Sequence, residues 1–218
     1  MMKKLLTTVA VLGCAAVVTA QTVTSQNIVG YTKFTASAGQ LDLIAINFET
    51  GGATVQELIG AQLPNLSKIY LWDKDAVPPT YVPVNKNFLG NWLPNVTLDN
   101  GDSFWVQAAG AGDYEVILSG EVLTAETNTV AVSELVMTGY YFPVETLWGA
   151  TDLAAQLPNL SKMYVWDKDA VPPAYVPYSK NFLGNWGAGA NAVISPTTGV
   201  WVDPASSFTW EEERPFTP

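Results

Sequence analysis

Aromatic and acidic side chains carry the chemistry this chain offers, and both sets occur in duplicate. Tyr70, Trp72, Tyr81 and Trp92 recur as Tyr164, Trp166, Tyr175 and Trp186, with Trp105 and Trp201 further along. A flat aromatic face packs well against the apolar C–H face of a sugar ring while its own N–H or O–H stays wet. Asn85, Asn87 and Asn91 near Trp92, and Asn181 near Trp186, could hydrogen-bond sugar hydroxyls. The binding set of such a carbohydrate platform is Trp72, Tyr81, Asn87 and Trp92, then Trp166, Tyr175, Asn181 and Trp186. Core packing fits the same spacing: Tyr70 and Trp72 stand two apart on one strand, face one way, and can fill a core or pair across a hairpin.

Asp73 and Asp75 form a D-x-D, repeated as Asp167 and Asp169. Carboxylates of this kind can hold Ca²⁺, which takes six to eight oxygen ligands. Against that, Lys74 stands between the first pair, no EF-hand or nonapeptide calcium pattern is present, and aspartate is also a favoured turn former. No other cofactor is expected. Enzyme chemistry has little to draw on. The chain has no His, and its single Cys is Cys14, so a Ser-His-Asp triad and His-ligated zinc are excluded. A carboxylate pair from Asp73, Asp75 and Glu49 could hydrolyse a glycosidic bond, but turn aspartates in water have no evident reason for a raised pKa.

These residues lie in a repeat. Residues 61–92 and 155–186 match at 27 of 32 positions at an offset of 94. A fixed period this long marks two copies of one structural module. The offset continues upstream, and a two-residue insertion in the second copy brings Trp105-Val106 over Trp201-Val202. The expected organisation is a signal peptide over 1–20 and two β modules over 21–120 and 121–218, docked with almost no linker.

Alternating apolar and polar residues predict strands at Ile28–Thr35, Gln40–Asn47, Lys68–Asp73, Ser103–Ala108 and Asp113–Leu118. Asn100-Gly101 suits a tight hairpin. Thr54–Glu57 is a capping-box pattern ahead of a short helix ended by Pro64, and Thr151-Asp152 caps its counterpart before Pro158. The predicted fold is all-β with minor helix: two tandem small β-sandwich or partly open barrel modules, each with one short helix.

Lys3 and Lys4, the apolar stretch Leu5–Val18 and the small residues before Gln21 have the form of an export signal cleaved after Ala20. The competing lipoprotein reading, with Cys14 lipidated, fits less well because Leu12 is a poor residue before its glycine. Removing Lys3 and Lys4 leaves eight basic against twenty acidic residues, a formal charge of −12. Such a surface repels phosphate backbones and anionic lipid, so nucleic acid is not an expected partner. The apolar stretch is too short to span a bilayer, and no transmembrane segment is expected.

The order of motifs also resembles a known repeat. An Asn-Ile-Val-Gly-Tyr strand (27–31), a Leu-Ile-Ala strand, a Leu-Pro-Asn turn, a Tyr-x-Trp-Asp strand, a Trp-Val-Gln strand and a closing Gly-Glu-Val (120–122) follow one another. This is similar to a module of secreted proteins from the Verrucomicrobia–Planctomycetes bacterial group, across nearly the whole mature chain. The resemblance implies export and β-rich modularity, and maps no catalytic residue. The function expected from residues and repeat together is that of a secreted, non-enzymatic, structural or adhesive component at the cell surface or in extracellular matrix. Its partners would be an extracellular protein or polysaccharide, or further copies of itself. A carbohydrate-binding module is the alternative, and a carboxylate-dependent glycosidase the third reading.

Overall fold

Each half of the chain builds a sheet, a two-stranded ribbon over its inner face, and a helical turn between them. The computed structural model describes residues 28–125 and 127–217. The expected signal peptide, with Cys14, lies outside the described residues. In the first half β1 (Val29–Ser37) pairs along its length with β7 (Asp113–Glu121). The other strands are β2 (Asp42–Ala45), β3 (Lys68–Asp73), β4 (Thr80–Lys86), β5 (Trp92–Leu93) and β6 (Ser103–Gln107), in the order β2-β6-β3-β4-β5. In the second half β8 (Thr127–Val132) pairs with β15 (Phe208–Glu213) as the ribbon. There β9 (Val136–Gly139), β11 (Lys162–Asp167), β12 (Ala174–Ser179) and β14 (Gly199–Asp203) form the sheet β12-β11-β14-β9. A short pair, β10 (Thr146–Leu147) with β13 (Val193–Ile194), completes the set. Among the described residues the protein is mostly β, and no sheet closes into a barrel.

Side-chain alternation assigns the faces. Ile69 and Leu71 of β3, Val84 of β4 and Phe104 and Val106 of β6 point inward. They meet Phe34, Ala36, Val116 and Leu118 of the ribbon and Val55, Ile59 and Leu63 beside the helix. Met163, Val165, Val200 and Val202 do the same in the second half. Tyr70 and Trp72, and Tyr164 and Trp166, are thereby sent to the opposite face of their sheets.

The helices form where the caps predict, as α1 (Val55–Leu58) and α2 (Asp152–Gln156). Glu57 accepts from the Thr54 N–H at 2.8 Å, and Thr151 Oγ1 accepts from Ala154 N at 3.1 Å. Two lysines finish the segments that follow. Lys180 is buried and donates to the carbonyls of Ala154, Ala155 and Leu157 at 3.0, 2.8 and 2.7 Å, while Lys86 donates to those of Gly60 and Leu63. Each ammonium so satisfies carbonyls that a short helix leaves open.

Asn100-Gly101 does not join paired strands. Gly101 has φ +88°, and the turn closes through Asp102 N to Asp99 O at 3.0 Å, yet β5 and β6 are not partners. The apolar pattern of β6 places it between β2 and β3, and this outweighs the local turn preference. The turn abuts the second half instead, where Thr138 Oγ1 donates to the Gly101 carbonyl at 3.2 Å. Among the described residues no helix is long and apolar enough to cross a membrane.

Glu212 breaks the apolar pattern of the second ribbon. It pairs with Asn128 where Val116 pairs with Phe34 in the first. Its carboxylate is buried and accepts from Asp152 N at 3.0 Å, Leu153 N at 2.9 Å and Trp210 Nε1 at 2.7 Å. Burial raises its pKa above the ordinary 4.5, outweighing the three hydrogen bonds that favour the anion. The unfolded chain therefore releases this proton first as pH rises. Glu212 contributes most to stability below pH 4.5, and the contribution is lost as pH climbs through the raised folded value. Urea-unfolding midpoints should fall between pH 4.5 and 7.5, and Glu212→Gln should flatten that fall. Lys180→Met should cost about 2–4 kcal/mol in the same measurement, because three buried carbonyls lose a charged donor.

Candidate functional site at the aromatic seam

The outer faces of the two sheets are packed against each other. Leu43, Trp105, Met137 and Trp201 are buried between them, flanked by half-buried Tyr70, Trp72, Tyr164 and Trp166. Positions 94 or 96 apart exchange roles across the contact, so the seam has approximate two-fold symmetry. Trp72 meets Trp201 edge to face at 5.1 Å between ring centres, and Trp166 meets Trp105 at 5.0 Å. Trp166 Nε1 donates to the Leu41 carbonyl at 2.7 Å, and Trp72 Nε1 to that of Leu135 at 3.3 Å. Trp105 Nε1 donates to the Tyr81 hydroxyl at 3.2 Å, and Trp201 Nε1 to the Tyr175 hydroxyl at 3.0 Å.

The D-x-D loops clasp this seam from both sides. Lys168 reaches Asp42 of the first half at 3.2 Å, and Lys74 lies 3.9 Å from Glu134 of the second. Asp73 and Asp167 are committed to their own loops. Asp73 Oδ1 accepts from Asp75 N and Ala76 N at 3.0 and 3.1 Å, and Asp167 Oδ1 from Asp169 N and Ala170 N at the same distances. Asp75 pairs with Lys74 at 2.5 Å. The lysine that interrupts each D-x-D is thus the residue that crosses the seam. Among the described residues no three acidic or thiol side chains converge on a common point. Asp42 is buried; burial raises its pKa and the Lys168 charge opposes the rise. Buried Asn47 ties the halves further, accepting from Thr197 N at 2.6 Å and donating to the Tyr140 carbonyl.

Of the six aromatic residues in the expected binding set, four meet here: Trp72, Tyr81, Trp166 and Tyr175. Trp92 and Trp186 do not, and this corrects the expected platform. Each lies buried in the core of its own half, where Trp186 donates to the Ala154 carbonyl at 2.9 Å and packs edge to face on Trp148. Each follows a tight loop that turns its indole inward, and neither offers a face to a ligand. Asn87 and Asn181 are turn formers. Asn87 Oδ1 accepts from Leu89 N and Asn91 N, and Asn181 Oδ1 from Leu183 N and Asn185 N, all at 2.9–3.0 Å. The indoles that do meet stand at 80–89° to their partners, so no coplanar pair is formed at these contacts.

Where the sheets splay, the seam opens into a cleft of about 320 Å³ lined by Leu41, Tyr70, Tyr81, Trp105, Trp166 and Tyr175. Tyr81 and Tyr175 are each about two-fifths exposed at its mouth. Burial, helped by the neighbouring Tyr81, pushes the Tyr175 hydroxyl up to about 12, so it remains protonated at every physiological pH. One copy alone does not reveal this cleft, because it needs both copies of the outer face. The signal available was the spacing of Tyr70 and Trp72 on the side of β3 opposite Ile69. No protein-family model matches the chain, and neither a curated protein nor a solved structure does.

Trp105→Ala and Trp201→Ala should each lower unfolding free energy by about 3–5 kcal/mol in urea titrations, as for other buried aromatic truncations. Trp166→Phe removes the donor to Leu41 together with part of the ring packed on Trp105, and should cost about 1–3 kcal/mol.

Proposed function

We propose that the protein is a secreted, non-enzymatic attachment component that holds an extracellular protein surface through two equivalent apolar tips. The observation that carries this reading is the exposure of Leu66, Phe88 and Leu89 in the first half and Leu160, Phe182 and Leu183 in the second. All six are between 63 % and 75 % exposed. A folded chain gains by burying such side chains, so a repeated, ordered cluster of them favours a contact surface.

The tips are built, not loose. Asn65 Nδ2 donates to the Phe88 carbonyl at 2.8 Å, and Asn159 Nδ2 to that of Phe182 at 2.9 Å, joining two loops in each tip. Asn87 and Asn181 brace the loop from within, as described above. Leu66 and Leu160 have φ of +71° and +72°. A leucine in this left-handed region costs about 1–2 kcal/mol that glycine or asparagine would largely avoid. The same strain at the same exposed leucine in both halves supports selection for the side chain at the surface. Val77 and Val171, both almost fully exposed, stand at the opposite ends of the same hairpins and lie outside the tips.

Two equivalent contacts on one rigid chain make the second binding event intramolecular, which raises avidity by about 10²–10⁴ without any new contact. Co-sedimentation of residues 21–218 with the producing cell's envelope fraction tests the reading. Phe88→Ser with Leu89→Ser should weaken retention at least tenfold, and adding Phe182→Ser with Leu183→Ser should abolish it. Leu66→Asn with Leu160→Asn should weaken retention while leaving stability equal or higher. Full retention by the four-site variant would sink the proposal.

A further inference from the structure

The seam cleft has a chemistry distinct from that of the tips. Its six lining side chains include no charged group. Its indole N–H groups are already committed, Trp166 to the Leu41 carbonyl and Trp105 to the Tyr81 hydroxyl. The polar atoms left to a guest are tyrosine hydroxyls, those of Tyr81 and Tyr175 and that of Tyr70, which donates to Gln107 Oε1 only at 3.4 Å. The Tyr81 and Tyr175 oxygens each accept an indole N–H, and the Tyr175 hydroxyl also bonds that of Tyr81, so one hydroxyl proton of the pair is left to donate. The rings of the wall stand steeply to one another: Trp105 and Trp166 at 89°, Trp105 and Tyr175 at 73°, Trp166 and Tyr175 at 68°. A flat ring entering this corner meets one wall face to face and another edge on, the two arrangements that aromatic pairs prefer.

We propose that the seam cleft is a binding site for one neutral, planar aryl ring bearing an acceptor oxygen. A charged guest would lose hydration and find no counter-charge among the lining residues. A sugar would bring several hydroxyls to a wall with few free partners, and it stacks best on a face that the steeply inclined rings do not present. A volume of about 320 Å³ holds one or two fused rings, at the small end of ligand pockets. Because Tyr81 and Trp105 come from one half and Trp166 and Tyr175 from the other, the guest bridges the repeat and should stiffen the seam. The aryl group could come from a free phenolic compound or from an aromatic side chain of a peptide, since both present the same ring and oxygen.

Isothermal titration calorimetry of residues 21–218 with 2-naphthol, N-acetyl-L-tyrosinamide and cellohexaose separates these cases. The expected result is saturable binding of at least one aryl probe at one site per chain. Tighter binding of 2-naphthol identifies a free aryl compound as the source, and tighter binding of the tyrosinamide identifies a peptide side chain. Leu41→Trp, which fills the cleft, should weaken aryl binding at least tenfold with an unchanged far-UV circular dichroism spectrum. Should that variant not fold, Tyr81→Phe serves in its place: it keeps the ring, removes the hydroxyl and with it the acceptor of Trp105 Nε1, and should weaken binding about three- to tenfold, the worth of one hydrogen bond. Absence of saturation by both aryl probes, affinity unchanged in both variants, or binding of cellohexaose alone would overturn the assignment. Each of these results is independent of envelope retention, because the tips lie outside the cleft.

Discussion

The edge-to-face packing of Trp72 on Trp201 and of Trp166 on Trp105 is the contact on which the arrangement of the whole chain turns. Each half supplies a sheet whose inner face closes over its own ribbon and helix. Its outer face then carries tyrosines and tryptophans that cannot be left in water at small cost. Satisfying both faces of both sheets requires a four-layer order, ribbon, sheet, sheet, ribbon, with the aromatic layer in the middle. The polar ends of the aromatic side chains are settled within the same layer. Indole N–H groups reach Leu41, Leu135, Tyr81 and Tyr175 across or along the seam, so packing the layer leaves none of those donors unpaired.

Much of this fold is legible in the sequence wherever a short-range rule decides. The alternation in KIYLWD and SFWVQ places strands within a residue or two of where they lie, and the capping residues Thr54 and Thr151 mark both helices. The rules fail where a distant partner decides. Asn100-Gly101 has the composition of a hairpin, but the burial of β6 between β2 and β3 takes precedence. Trp92 and Trp186 follow loops whose tight turns point them inward, and no period-two pattern is long enough there to reveal it. Lys74 and Lys168 look like a flaw in a calcium loop until the other half of the molecule is present. Lys86 and Lys180, ordinary surface residues by type, are buried with their ammonium groups on carbonyls that the short helices leave open.

The candidate surfaces divide in the same way. The tips lie in the duplicated NFLGN segment, whose asparagines suggest ligand donors by type. Their side chains are consumed in holding the loop, and it is the apolar residues between them that face solvent. The cleft could not be read from either copy alone. Its walls come from both halves of the chain, Leu41, Tyr70, Tyr81 and Trp105 on one side and Trp166 and Tyr175 on the other.

The approximate two-fold symmetry of the seam has a historical consequence. A surface that pairs with a copy of itself about a two-fold axis is the kind that joins two identical subunits. A single ancestral module bearing this aromatic face would have dimerised through it, and tandem duplication would then have made the dimer one chain. Once the partners were covalently joined, their encounter no longer depended on protein concentration. Selection on each face was freed to diverge. The unequal clasps, Lys168 on buried Asp42 at 3.2 Å against Lys74 at 3.9 Å from exposed Glu134, are what such a released symmetry leaves behind.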